Sequence, residues 1–262
     1  MSIQRFQLKK AQGQKISMVT CYDYPSAKLV SQTSIDCILV GDSLAMTVHG
    51  FLSTIHATLD MMILHTQAVS RGLGKQFLIT DMPFMAHRSS VEMTVSHALK
   101  LLQAGAHAIK IEGADDFTCG QISHLVESGV PVVGHIGLQP QSILAYGAYK
   151  VQGRAPEHAK RLLEEAIKLQ DAGCFALVLE CIPADLATAI SKRLSIATIG
   201  IGAGSGTDGQ VLVWHDLLRL QSDILPKFVK QYQATGETIV QALETFHQEV
   251  QLELFPTSEY AY

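Results

Sequence analysis

Short apolar runs that stop at a charged or ionisable residue recur along the chain, separated by longer stretches with apolar residues at helical spacing. The clearest run is Cys37 to Val40, after which Gly41 releases the chain and Asp42 and Ser43 follow. Ile38, Leu39 and Val40 in succession suit a strand covered on both faces, the habit of a parallel sheet. The same phrase returns as Phe77 to Thr80 before Asp81, Ala108 to Ile111 before Glu112, Val132 to Gly134 before His135, and Leu177 to Leu179 before Glu180.

In chain order, residues 1 to 14 read as a polar lead-in, Ile16 to Thr20 as a first strand, and Pro25 as the opening of a helix to about Thr33. After the second strand, Ala45 to Thr58 has no clear period and reads as a long loop over the mouth of the fold. Helices are predicted over Leu59 to Arg71, Ser90 to Ala104, Gln121 to Glu127, Glu157 to Ala172 and after Pro183. Between them fall strands at Phe77 to Thr80, Ala108 to Glu112, Val132 to Ile136, Phe175 to Glu180 and Ala197 to Ile201, with Gly137 to Pro156 irregular. The eighth strand has only Asp223 to Phe228 as a candidate, before an amphipathic helix over roughly Gly236 to Glu249 that would pack on the barrel or on a neighbouring subunit. So regular an alternation predicts one α/β domain over residues 1 to 262, a (β/α)8 barrel whose strand ends converge on one face.

Composition narrows the function. Apolar residues at 47% and charged residues at 17% allow a sizeable core and exclude disorder. A net charge of -4, with no Lys/Arg-rich stretch, argues against a nucleic-acid partner. No apolar run approaches the ~20 residues that span a bilayer, and the N-terminus lacks a signal-like segment, so the expectation is a cytoplasmic protein without a membrane partner. Five cysteines with no C-x-x-C read as reduced thiols, with Cys21 and Cys181 near strand ends where they could border a pocket.

The strand ends carry the candidate chemistry. Lys110 and Glu112 alternate with Ile109 and Ile111, so both charges share the barrel-facing side. They are a structural ion pair or part of a site. Asp42, Asp81 and Glu112 together favour the site: carboxylates about 4 Å apart repel by ~4 kcal/mol per pair at an effective dielectric of about 20. Such a cluster needs a proton or a cation, and an all-oxygen set favours Mg²⁺; the alternative is that each acid caps a neighbouring helix. Glu180, from the far side of the barrel, is a candidate general base. His135 could share that role, hydrogen-bond substrate or serve structure. The glycine-rich Ile199 to Gly209 contains G-x-G-x-x-G, but it follows the seventh strand instead of opening a dinucleotide fold, so it reads as tight backbone around the pocket or an anion cradle.

The motifs T-C-Y-D-Y (20 to 24), V-G-D-S-L (40 to 44), D-M-P-F-M (81 to 85), K-I-E-G (110 to 113), G-H-I-G-L-Q-P-Q-S (134 to 142), Y-K-V-Q-G-R (149 to 154), V-L-E-C-I-P (178 to 183) and I-G-I-G-A-G (199 to 204) stand in one order. From about Ile16 to Glu249 the chain resembles the ketopantoate hydroxymethyltransferase family. The resemblance implies a TIM barrel of the phosphoenolpyruvate/pyruvate-binding type that moves a hydroxymethyl group from 5,10-methylenetetrahydrofolate to 2-oxoisovalerate, giving ketopantoate for pantothenate and coenzyme A synthesis. It implies Asp42 and Asp81 as Mg²⁺ ligands, with Glu112 the third, directly or through a water. Asp42, Ser43, Asp81 and Lys110 would hold the keto acid, and Glu180 would take the proton whose loss gives the enolate. Lys110 would balance the one negative charge that three carboxylates leave on a divalent ion. A large homo-oligomer, commonly a decamer of two pentameric rings, is also implied. Ala114 and Ala148 stand where the family often has glycine, which leaves the loop contacts around them least secure. The rivals are a Mg²⁺-dependent carbon-carbon lyase or aldolase acting on a 2-oxo acid, for which no K-K-C-G-H motif is present, and a non-catalytic barrel scaffold, disfavoured by the retention of Asp42, Asp81 and Glu180.

Overall fold

The structure, a computed structural model, describes residues 2–220 and 225–262. The chain divides into two compact units, Met1–Leu212 and Val213–Tyr262. The first begins with helix α1 (Ile3–Ala11), then β1 (Ile16–Thr20), α2 (Tyr24–Ser31), β2 (Cys37–Val40), α3 (Leu44–Thr47), α4 (Leu59–Gly72), β3 (Phe77–Asp81), α5 (Val91–Gln103), β4 (Ala108–Glu112) and α6 (Asp116–Glu127). It continues through β5 (Val132–Gly137), α7 (Ile143–Tyr146), α8 (Pro156–Asp171), β6 (Ala176–Glu180), α9 (Ala184–Arg193), β7 (Ala197–Ile201) and β8 (Gly209–Leu212). Each strand pairs in parallel with the next and β8 pairs with β1, closing the eight-stranded barrel expected from the alternating pattern.

Local chemistry starts the helices where the backbone must turn. Asp23 caps α2 by accepting the Ser26 N–H at 2.7 Å, and Thr58, Ser90 and Asp115 cap α4, α5 and α6 in the same way. Asp115 also explains why α6 begins at Asp116, ahead of the start expected at Gln121. Every residue of β2, β3 and β4 is buried. One alternate set, including Met18, Leu39, Ile79, Val133, Val178 and Ile199, fills the barrel, while Ile38, Leu78, Ile109 and Leu177 are buried on the other face.

Expectations for the N-terminus and for the eighth strand are corrected. The N-terminus is a helix rather than a lead-in: α1 buries only Phe6, whose ring lies 5.5 Å from Phe77 and 5.1 Å from Phe175, both edge to face. Those two rings stand at the N-terminal ends of β3 and β6, so Phe6 closes the barrel floor, and Lys9–Asp36 (2.6 Å) and Lys10–Asp208 (2.7 Å) tie α1 to the loops there. The eighth strand is Gly209–Leu212, not Asp223 to Phe228. Of the latter, 223 and 224 lie outside the described residues and 225 to 228 hold no strand. β8 starts against Ile16 and Ile199, where a side chain at Gly209 would strike the Ile16 carbonyl oxygen; three residues after a glycine are too few to show a period. The segments read as irregular also hold α3, α7 and 3-10 turns at Thr54–His56 and Pro140–Ser142.

The second unit contains α10 (Trp214–Leu217) and α11 (Thr235–Gln251). The Tyr232 and Thr235 N–H groups donate to Leu217 and Leu218 carbonyls at 3.0 Å, and Arg219 pairs with Glu237 at 2.9 Å. Among the described residues no helix is long and apolar enough to cross a membrane.

Candidate active site

Strand register brings the ionisable strand ends together. Asp81 lies opposite Lys110, Glu112 opposite His135, and Gly137 opposite Glu180. Because side chains alternate, Lys110 and Glu112 follow Ala108 on the inner face, His135 follows Val133, and Glu180 follows Val178. One period of two therefore sets hydrocarbon at the floor and charge at the rim. Asp42, just past β2, donates its backbone N–H to Asp81 Oδ2 at 3.0 Å.

The predicted residues form one connected group. Lys110 Nζ lies 3.2 Å from Asp81 Oδ1 and 3.8 Å from Glu112 Oε1. His135 stands between two acids, Nδ1 at 3.3 Å from Glu112 Oε1 and Nε2 at 3.2 Å from Glu180 Oε2. Lys110 Nζ is also 3.2 Å from His135 Nδ1, a hydrogen bond only while that nitrogen carries no proton. Ser43 meets Tyr22, hydroxyl to hydroxyl, at 2.8 Å. The Glu180 side chain is 16% exposed against 4% for Glu112, so it is the acid most open to the mouth. Its backbone carbonyl takes the Leu138 N–H at 2.8 Å, an approach possible because Gly137, at φ +95°, has no side chain to strike that oxygen.

Sequence reasoning assigned no role to Gln141. Its Nε2 donates to Asp42 Oδ2 at 2.8 Å and to the Met82 carbonyl at 3.0 Å, while its backbone N–H donates to Glu112 Oε2 at 3.2 Å. It lies in the Q-P-Q-S motif, but nothing in a glutamine's spacing announces a partner on another strand end. The cysteines are free thiols. Burial pushes Cys21 and Cys181 up to about 12, so neither is a thiolate nucleophile at neutral pH. In the glycine-rich stretch, a side chain at Gly206 would run into Thr188, in keeping with tight backbone packing.

The charges do not balance. Burial raises the Asp42 carboxyl well above the ordinary range, aided by the charges of Asp81 and Glu112 and opposed by Lys110 and Gln141. Burial likewise raises Asp81 despite Lys110. For Glu112 burial acts upward, but His135, Lys110 and the Gln141 N–H outweigh it and the net shift is down. Lys110 is raised despite its burial because Asp81, Glu112 and Asp42 surround it. His135, which burial and Lys110 would lower, is raised to about 9 by Glu112 and Glu180. If all four acids were ionised, one ammonium and one imidazolium would leave two negative charges uncompensated, an excess that raises Asp42 and Asp81 in the absence of a further cation. Asp81 Oδ1 and Glu112 Oε1 are buried without a hydrogen-bond partner among the described residues, their cationic neighbours lying near but off the line of a bond. Hard oxygen donors with excess negative charge fit a divalent hard cation. As the side chains stand, no three His, Cys, Asp or Glu among the described residues close as a ligand set.

Known proteins resemble the chain at two levels, sequence and fold. The profile of the family described as ketopantoate hydroxymethyltransferase matches residues 1–258. The chain is 59% identical over 262 residues, all of both chains, to the 3-methyl-2-oxobutanoate hydroxymethyltransferase of Legionella pneumophila (strain Lens). It is 51% identical over 261 residues to that of Francisella tularensis subsp. novicida (strain U112), covering 100% of this chain and 98% of the relative. Among solved structures it is similar in fold to 2,3-dimethylmalate lyase, a member of the PEP mutase/isocitrate lyase superfamily (TM-score 0.63, 14% identity, 99% of this chain and 91% of that one). Phosphonopyruvate hydrolase in complex with oxalate and Mg²⁺ is similar in fold too (TM-score 0.64, 12% identity, 99% and 93%).

Proposed function

The chain belongs to the ketopantoate hydroxymethyltransferase family, and from that premise we propose that it transfers a hydroxymethyl group from 5,10-methylenetetrahydrofolate to 2-oxoisovalerate, forming ketopantoate. The observation that carries the proposal is the connected group at the strand ends, in which Asp42, Asp81 and Glu112 meet around Lys110 and Gln141 while Glu180 faces them across His135. Asp42 and Asp81 would hold Mg²⁺, with Glu112 the third ligand, directly or through a water. An ion bound there supplies Lewis-acid polarisation of the keto oxygen, which makes the adjacent C–H more acidic.

The protein's own groups do the rest. Lys110, kept charged by three acids, attracts the carboxylate of the keto acid, and Ser43, oriented by Tyr22, offers a hydroxyl beside Asp42. Glu180 takes the β-proton, since it is the strand-end acid that reaches the open mouth. His135 fixes the Glu180 carboxylate in position and can hydrogen-bond the substrate as well. The deprotonated carbon then attacks the methylene carried by the folate, forming the new C–C bond; the methylene's bonds to the folate nitrogens break, water supplies the hydroxyl oxygen of ketopantoate, and the folate leaves as tetrahydrofolate. The barrel floor below is apolar, so water reaches the reacting carbon only from the mouth. The working form is proposed to be a cytoplasmic homo-oligomer, a decamer of two pentameric rings; exposed Leu243 and Phe246 on α11 support an assembly.

The test is proton exchange at the β-carbon of 2-oxoisovalerate, followed by NMR in D₂O with Mg²⁺. Exchange without ketopantoate formation on addition of methylenetetrahydrofolate would favour a lyase; no exchange at all would leave a non-catalytic scaffold.

A further inference from the structure

A cavity of about 310 Å³ lies against the acidic cluster, sharing Glu112 and Gln141 with it, and Phe84, Met85, His87 and Arg88 of the loop after β3 form most of its remaining wall. His87 is the unusual member. It is 2% exposed, yet neither ring nitrogen has a hydrogen-bond partner among the described residues. A buried imidazole left unpaired costs about 1–3 kcal/mol relative to a satisfied one, so a site that keeps one is prepared for a ligand. Burial, with help from Arg88, holds its pKa down at about 4, so at neutral pH it carries one N–H donor and one acceptor nitrogen.

The other walls differ in kind. Phe84 is 41% exposed and Met85 56%, the latter at φ +63°, a conformation a non-glycine residue adopts rarely. Both offer apolar, polarisable surface to a flat ring. Arg88 gives one nitrogen to Asp115 at 2.7 Å and keeps further donors of its fork for a second anion. Stacking surface, a neutral donor-acceptor pair and a cation, in one cavity beside the keto-acid site, describe a heteroaromatic ligand with an anionic tail.

We propose that this cavity receives the folate donor, with the reduced pterin ring against Phe84 and Met85, its heteroatom edge at His87 and its glutamate carboxylates at Arg88. The assignment rests on the donor reading given above and adds the place where the donor sits. Because Glu112 and Gln141 line it, the cavity would place the one-carbon unit next to the keto-acid site.

The experiment is calorimetric titration of wild-type protein, Phe84→Ala, His87→Leu and Arg88→Met with tetrahydrofolate and with the tail-free 6-methyltetrahydropterin, each variant first checked for its fold by circular dichroism. Phe84→Ala and His87→Leu are expected to weaken both ligands about tenfold. Arg88→Met should weaken tetrahydrofolate and spare the tail-free pterin. Phe84 is exposed, so its variant tests the site even if His87→Leu fails to fold. Wild-type binding of tetrahydrofolate with unchanged affinity in Phe84→Ala and Arg88→Met overturns the placement alone. A wild-type protein that binds no tetrahydrofolate overturns the donor reading itself.

Discussion

Gln141 donates its side-chain amide to Asp42 Oδ2 at 2.8 Å across 99 residues of chain, and the same residue's N–H holds Glu112. One glutamine thus sets the direction of two candidate ligands. Replacing it by Leu leaves the Asp42 and Met82 oxygens unpaired and is expected to lower Mg²⁺ affinity about 10–100-fold, as loss of an outer-shell partner does elsewhere. Calorimetric titration with Mg²⁺ is the check. An affinity equal to wild type would remove Gln141 from this role.

Glu180→Gln keeps the shape of the side chain and loses its basicity. Proton exchange at the substrate's β-carbon should slow about 10²–10⁴-fold, the usual worth of a positioned base, while Mg²⁺ titration should still show an ion bound at Asp42 and Asp81. Exchange at the wild-type rate would assign the proton to another group, with His135 first in line.

Protons and the ion compete for the raised carboxyls. A carboxyl whose native pKa exceeds its unfolded value, as for Asp42 and Asp81, holds its proton more tightly in the folded state. Its contribution therefore destabilises the metal-free fold increasingly as pH rises from the unfolded value, about 3.9, through the raised native one. Mg²⁺ removes that penalty only where the groups are ionised, so its stabilising increment in thermal unfolding should be larger at pH 8 than at pH 5.5. Equal increments at the two pH values would show that the ion does not bind at these acids.

Phe6→Ala tests the floor. Phe6 is fully buried between two aromatic rings, and its loss should cost about 3–5 kcal/mol. Urea denaturation would measure it. A loss below about 1 kcal/mol would mean that α1 is not part of the cooperative unit.

Seven of the eight strands were legible because a strand buried on both faces leaves a continuous apolar run, and because strand polarity puts the terminating Asp81, Glu112 and Glu180 at one end. What stayed hidden depended on contacts between distant segments. Helix α1 commits one phenyl ring to the core, and a single apolar position has no period. β8 is held by pairing with Ile16 and Ile199 more than by its own composition. The acids could be named in advance because their repulsion demands a partner, whereas Gln141 and His87 are neutral and acquire meaning only from what stands opposite them.

The three phenyl rings at the base make the barrel a blind well. In the proposed reaction, keto acid, folate, product and the proton assigned to Glu180 would all have to cross the same rim, so traffic in one direction would obstruct traffic in the other. The loops that carry Phe84 and Gln141 at that rim would thereby govern turnover as well as recognition, and a chain cut or fused at its first residues would be felt as a leak at the bottom of the well before anything changed at the top.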